Sequence, residues 1–366
     1  MKVRKKPVDF SILLITIMLV SFGIVMVFSA SYYYSSERWG DGLHFFKRQC
    51  LWAVIGFAGM FAVSRIHYKK LQKLSRLFLI ASIVMLILVL LIGVPRNNAK
   101  RWLGIGEAFS FQPAEVAKFA VIFFLADSID RKKGKLPRFF KDLVPLLLVS
   151  GLIFGLIVLQ PNLSTAGSIL MLSMILLFLG GANLWHLAGL ALAGLGGGIA
   201  LTFSADYRLN RLLAFLDPWS DPLETGYQLI QSLYALGSGG LFGLGLAQSR
   251  QKYLYLPYPE TDFIFAIIGE ELGFIGSFFL ILLFLILIWR GIRIAVTAPD
   301  LFGSMLAAGI ISMITIQVCI NIAVVTGSMP PTGLPLPFIS YGGSSLAMYM
   351  TGIGVLLNIS RYAKAA

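Results

Sequence analysis

Apolar runs of bilayer length recur from one end of this chain to the other, and that recurrence restricts its fold more than any other feature. Windows of ~20 residues, the length a helix needs to cross a hydrocarbon core, place spans near 10–30, 47–64, 77–94, 113–130, 142–160, 164–181, 184–203, 263–289, 301–326 and 343–360. The fold class expected is all-α: a polytopic integral membrane protein of ten transmembrane helices, with residues 1–366 forming one transmembrane domain. Composition agrees, at 57% hydrophobic and only 13% charged residues, with a mean hydropathy of +0.83. The first run follows a basic N-terminus and has no small-residue cleavage site, so it reads as a retained span.

Charge sets the orientation. With the N-terminus in the cytoplasm, the inside segments collect 19 of the 30 Lys and Arg residues, ten fall outside, and Lys118 lies within a span. The positive-inside rule therefore puts both termini in the cytoplasm. The net charge of +13 is spent on topology and anionic lipid, not on nucleic acid. Cys50 and Cys319 have no Cys or His neighbours at ligand spacing, so neither a disulfide framework nor a metal site is indicated. One long loop, roughly 204–262, then lies on the outer face between spans seven and eight. Its "LYALGSGGLFGLGLA" stretch is apolar and glycine-rich, as expected of a short interfacial or re-entrant helix.

The carboxylates of "PYPETDFIFAIIGEELGF" need a reason to be where they are. Asp262 is expected at the outer end of the eighth span, where an N-cap alone accounts for an aspartate. Glu270 and Glu271 fall roughly 12–14 Å deeper along the helix, where a carboxylate needs partners inside the bundle. Glu115 and Lys118 stand at i, i+3 in "FQPAEVAKF", either as a self-contained ion pair or as partners for deeper charges. Cations on the outer side dissent from the orientation rule: Arg101 beside Trp102, and Arg208 with Arg211 at i, i+3. Together with Lys118 they suit a pocket for phosphates, because guanidinium groups bind phosphate oxygens bidentately; singly, each reads as an interfacial anchor or headgroup contact.

Six stretches in this order, "GIVMVFSAS", "KRWLGIG", "FQPAEVAKF", "RLLAFLDPWSDPLETGYQLIQSLYALGSGGLFGLGL", "TDFIFAIIGEELGFIG" and "TGLPLPFISYGGSSL", resemble the SEDS family of bacterial membrane proteins, the FtsW/RodA/SpoVE group. The resemblance runs over nearly the whole chain and is strongest to the FtsW/SpoVE branch. It implies a multi-pass protein of the bacterial cytoplasmic membrane that polymerises lipid II into peptidoglycan strands at the outer face, in division or sporulation. It implies Asp262 as the catalytic residue, as base or as metal ligand, and a divalent cation, Mg²⁺ or Mn²⁺. Arg101, Trp102, Lys118, Arg208 and Arg211 are the substrate-binding residues expected. Glu115, Glu270, Glu271 and Ser340 are expected in structural or supporting roles, Ser340 within the turn before the last span. The partners implied are a class B penicillin-binding protein with transpeptidase activity and other division or sporulation membrane proteins. Two positions depart from the family's pattern: Asn162 stands where an aspartate is frequent, and Glu260 where a histidine often precedes the TDF motif. A lipid II flippase and a non-catalytic scaffold are the rival functions; the outer-face clustering of cations and Asp262, away from the midplane, argues for the polymerase.

Overall fold

The computed structural model describes residues 7–96, 99–105, 109–203 and 206–363. Every expected window holds a helix: α1 (Phe10–Trp39), α2 (His44–Arg65), α3 (Tyr68–Ile92), α4 (Pro113–Arg131), α5 (Val144–Val158), α6 (Leu163–Leu179) and α7 (Leu184–Phe203), then α10 (Ile264–Thr297), α11 (Leu301–Val325) and α12 (Gly343–Ser360). Two shorter helices, α8 (Asp206–Leu216) and α9 (Tyr227–Gly239), lie in the long loop. Among the described residues, six helical segments are long and apolar enough to cross a membrane by those criteria alone. The ends are marked by local chemistry: Asp9 and Asp300 cap α1 and α11, and Pro113 occupies the first turn of α4, where its missing N–H costs nothing.

Packing is tightest where small residues let backbones approach. A Cβ on Gly354 of α12 would lie 2.4 Å from the carbonyl oxygen of Met60 in α2, so these helices touch main chain to main chain. α4 and α11 form the buried centre, whereas α7 buries only Leu187 and leaves its other faces outward. One face gathers both ends of the chain: the Asp9 amide donates to Ser360 Oγ at 3.1 Å, and Arg290 pairs with the Asp9 carboxylate at 2.6 Å.

Two features differ from the sequence expectation. Residues around "RNNAKRWLGIG" are not a plain loop: β1 (Val94–Arg96), β2 (Ala99–Ile105) and β3 (Phe109–Phe111) form an antiparallel meander in the order β1-β2-β3. Short strands that pair with each other satisfy their own backbone groups at the membrane surface. The second feature is a break in α10. Gly273 sits at φ +67°, ψ −164°, outside helical geometry. The segment after α9 fills the break. Leu244 N and Gly245 N donate to the carbonyls of Glu270 and Glu271 at 2.9 and 3.0 Å, and Phe274 N and Ile275 N donate to Gly240 and Leu241 at 2.9 and 3.1 Å. The glycine-rich stretch thus packs into the break, lending its backbone to a helix that lacks its own partners.

Candidate active site

Asp262 is the last polar residue before α10, and its position is held from two sides. Asn321 of α11 donates from Nδ2 to the Asp262 carbonyl and to the Leu334 carbonyl, both at 2.8 Å, stitching the two loops together. Thr261 Oγ1 donates to Asp262 Oδ1 at 2.6 Å. Gly333, at φ +71°, carries the facing loop past the other carboxylate oxygen; a Cβ there would lie 3.7 Å from Oδ2. Burial pushes the Asp262 carboxyl above the ordinary aspartate range, against the opposing effects of the Thr261 hydrogen bond and the Arg211 charge. A carboxylate moved in that direction is a better proton acceptor near neutral pH.

Glu260, two residues earlier, is 2% exposed. Its backbone carbonyl accepts from Tyr341 N at 2.8 Å, and its Oε2 has no hydrogen-bond partner among the described residues. Burial, with the neighbouring Asp262 charge adding to it and a backbone hydrogen bond opposing, pushes the Glu260 carboxyl up to about 7.

Glu260 and Thr261 line one cavity and Gly333, beside Asp262, lines a second; Asp262 itself lines neither. The first, about 430 Å³, lies between the α1–α2 hairpin, β2, Glu260 and Thr261. The second, about 410 Å³, lies between the start of α6, Arg211 of α8 and residues 329–334. Arg101 borders both. Its Nε donates to the Gln160 carbonyl at 3.1 Å and its Nη2 to the Pro161 carbonyl, so β2 is tied to the turn before α6. In that turn Asn162 caps α6, accepting from Thr165 N at 3.4 Å; a cap asks for a side-chain oxygen and no charge, so asparagine serves there.

Of the expected site residues, Asp262, Arg101, Trp102 and Arg211 are brought together at the outer face. Arg208 lies on α8, and its side chain is outside the described residues. Lys118 is elsewhere: it is 1% exposed, paired with Glu115 at 2.8 Å and bonded to Gln317 Oε1 and Tyr349 Oη at 3.0 and 3.1 Å, and it lines neither cavity. Gln317 Nε2 in turn donates to the Pro335 carbonyl at 3.1 Å, so this network braces the loop facing Asp262. Ser340 Oγ accepts from Leu336 N at 2.8 Å, closing the turn before α12.

Glu270 and Glu271 clasp the loop that delivers Asp262. Glu271, 0% exposed, accepts from Ser29 Oγ at 2.7 Å, Lys252 Nζ at 2.8 Å and Ser249 N at 3.3 Å. Glu270 accepts from Arg250 N at 2.9 Å, Gln251 N at 3.3 Å and the Ser249 hydroxyl. Residues missed from sequence are Arg38, Arg48 and Trp52 of the first cavity, and Asn321. The first three stand in "YYYSSERWGDGLHFFKRQCLW", whose density of aromatic and cationic residues at an outer helix end was the available signal. Asn321, one of two amides with Gln317 in the apolar run of α11, gave none beyond its polarity.

Fold and site together define a multi-pass membrane protein with a carboxylate and arginines gathered beside two cavities at one end of its helices. A model of the cell cycle protein family that unites FtsW, RodA and SpoVE matches residues 10–365, and this chain belongs to that family. It is 48% identical, over 100% of both chains, to stage V sporulation protein E of Bacillus subtilis (strain 168). It is 40% identical, over 99% of both, to a probable peptidoglycan glycosyltransferase FtsW of Geobacter sp. (strain M18). Among solved structures, a chain of a peptidoglycan synthase complex that coordinates polymerization and crosslinking superposes with a TM-score of 0.80 at 30% identity, covering 97% of this chain and 98% of that one. The rod shape determining protein RodA of Thermus thermophilus superposes at 0.73 and 27% identity, with 98% of each chain covered.

Proposed function

We propose that this protein is a peptidoglycan glycosyltransferase that polymerises lipid II at the outer face of the cytoplasmic membrane. The observation that supports it most is Asp262, its carboxylate bonded by Thr261 and its backbone carbonyl by Asn321, beside two cavities that share Arg101. In this reading Asp262 takes the proton of the acceptor sugar hydroxyl. The hydroxyl oxygen bonds to the anomeric carbon of the donor sugar, the bond from that carbon to the phosphate oxygen breaks, and undecaprenyl pyrophosphate leaves with the electron pair. Arg101 and Arg211 meet the charge that develops on the leaving group. Glu115 and Lys118 act at a distance, through Gln317 and the loop it braces.

Among the described residues no three His, Cys, Asp or Glu side chains gather as a metal cage. A Mg²⁺ or Mn²⁺ ion would be held by the Asp262 carboxylate together with pyrophosphate oxygens, where it would shield phosphate charge. The partner we propose is a single-span class B penicillin-binding protein with transpeptidase activity, with other division or sporulation membrane proteins around it; likeness to a chain of a synthase complex supports this.

The test is polymerisation of lipid II by the purified protein with its cognate transpeptidase, wild type against Asp262→Asn, read as glycan strands on a gel. Polymer from the wild type and none from a folded, partner-bound variant is the expected result. Equal polymer from both removes Asp262 from the mechanism; no polymer from the wild-type complex turns attention to lipid II transport or scaffolding.

A further inference from the structure

A third cavity, about 360 Å³, lies away from the candidate active site, between α3, α4 and α12, with Val63 of α2 at its cytoplasmic end. Its position follows from how four helices share their contacts. α2 packs chiefly on α12 and α3 chiefly on α4, so the two arms of the α2–α3 hairpin stand apart. Asn358 of α12 fixes the hairpin's turn: its Oδ1 accepts from Tyr68 N at 2.9 Å and its Nδ2 donates to the Ser64 carbonyl at 2.8 Å. Phe119 of α4 lies directly on α12, where a Cβ on Gly352 would come within 2.6 Å of its ring, and Phe78 meets Phe123 edge-on at 5.7 Å. Walls that are already ordered accept an occupant without an added ordering cost.

The lining is apolar throughout. Its one side-chain hydroxyl, on Thr351, donates to the Ala347 carbonyl at 2.7 Å and is satisfied there. A headgroup, a sugar or a pyrophosphate finds no partner inside such a cavity, whereas a hydrocarbon chain needs none. From Leu71 to Ala81 the lining advances ten residues along α3, about 15 Å, which is half of a ~30 Å hydrocarbon core. Leu74 and Leu77 are 52% and 63% exposed, so the cavity opens sideways to the bilayer.

Cations stand at its cytoplasmic rim. Lys70 and Lys73 each precede a lining leucine, Leu74 and Leu77, by four residues, so each lies on the same stripe of α3 one turn nearer the cytoplasm. Both are exposed, and neither has a carboxylate partner among the described residues, whereas Lys69 pairs with Asp300 at 2.9 Å. Lysine stems run along apolar surface and keep their charge in water. Orientation in the membrane needs lysines on this face, but it does not require them above a cavity one leaflet deep.

We propose that this cavity binds one anionic phospholipid of the cytoplasmic leaflet, with an acyl chain inside it and the phosphodiester between Lys70 and Lys73. The site is independent of the polymerase reading.

The test uses the full-length protein in phosphatidylcholine nanodiscs that contain increasing amounts of phosphatidylglycerol with a diazirine midway along one acyl chain. After irradiation, labelled residues are mapped by mass spectrometry. Labels are expected on Leu74, Phe123 and Met348, at a lower mole fraction than for a phosphatidylcholine with the same chain. The mole fraction for half-maximal labelling should rise about fivefold in Lys70→Gln and again when Lys73→Gln is added. Ala81→Trp, at an exposed position on the cavity's edge, should remove these labels and leave those on the outward faces of α7 unchanged. The proposal is overturned if the two lipids label the cavity equally, if the lysine substitutions leave the half-maximal point in place, or if the cavity is labelled no more densely than α7. It is overturned equally if undecaprenyl pyrophosphate clears the labels where unlabelled phosphatidylglycerol does not, since the cavity then belongs to a polyprenyl tail.

Discussion

Replacing Glu260 with glutamine is expected to stabilise the protein at neutral pH and to remove part of its pH dependence. Burial raises the Glu260 carboxyl from 4.5 to about 7, a difference that corresponds to about 3 kcal/mol between the protonation states. The folded chain then binds this proton more tightly than the unfolded chain does. The contribution is fully present below pH 4.5 and is lost as pH rises through about 7. Asp262, also raised by burial, acts in the same direction. Asp41 and Asp221, lowered by hydrogen bonds from Lys47 and from the Thr225 backbone, act in the opposite sense and below this window. Thermal unfolding in detergent, followed from pH 4.5 to 8.5, isolates Glu260 as the difference between wild type and Glu260→Gln. For a chain of this size 3 kcal/mol is about 3–6 °C in Tm. The wild type should lose that much relative to the variant between the two ends of the range. Two curves that stay parallel across it refute the reasoning, because a carboxyl with an ordinary pKa finishes titrating near the acid end.

Other residues give further expectations. Lys252→Met strands the Glu271 carboxylate and should cost about 3–5 kcal/mol, most of which returns when Glu271→Leu is added; a double-mutant cycle on unfolding in detergent measures both. Gly273→Ala places a Cβ 2.3 Å from the Gly243 amide nitrogen at φ +67° and should cost about 2–4 kcal/mol, whereas Gly155→Ala, open on all sides, should gain about 0.5–1 kcal/mol; the same unfolding assay separates them. Arg101→Lys loses the fork that reaches both the Gln160 and Pro161 carbonyls and should raise the KM for lipid II about tenfold with folding intact.

The ten helices were legible because the bilayer forbids unpaired backbone and favours apolar runs of its own length, although length and hydropathy alone pick out six helical segments among the described residues. What hydropathy misses is helix that continues beyond the membrane. α1 was expected to end near residue 30 and runs to Trp39, since residues 31–39 are polar and aromatic and the pattern read there was the membrane boundary. That extension builds one wall of the first, aromatic-lined cavity, which is why the cavity itself was invisible. Its rings come from α1, α2, β2 and two distant loops, and each alone resembles an interfacial anchor. Glu270 and Glu271 show the same division. That they need partners follows from their depth; that the partners are Ser29 and residues 249–252 follows only from how the loop folds back.

The break in α10 also fixes an order of assembly. Residues 240–252 precede α10 in the chain, so they emerge before the helix whose carbonyls and carboxylates they meet. When α10 enters the bilayer, Glu270 and Glu271 face hydrocarbon at a cost of ~2.5–3.5 kcal/mol each on insertion scales, until that earlier segment docks. Insertion of this span is therefore coupled to a loop that has already crossed.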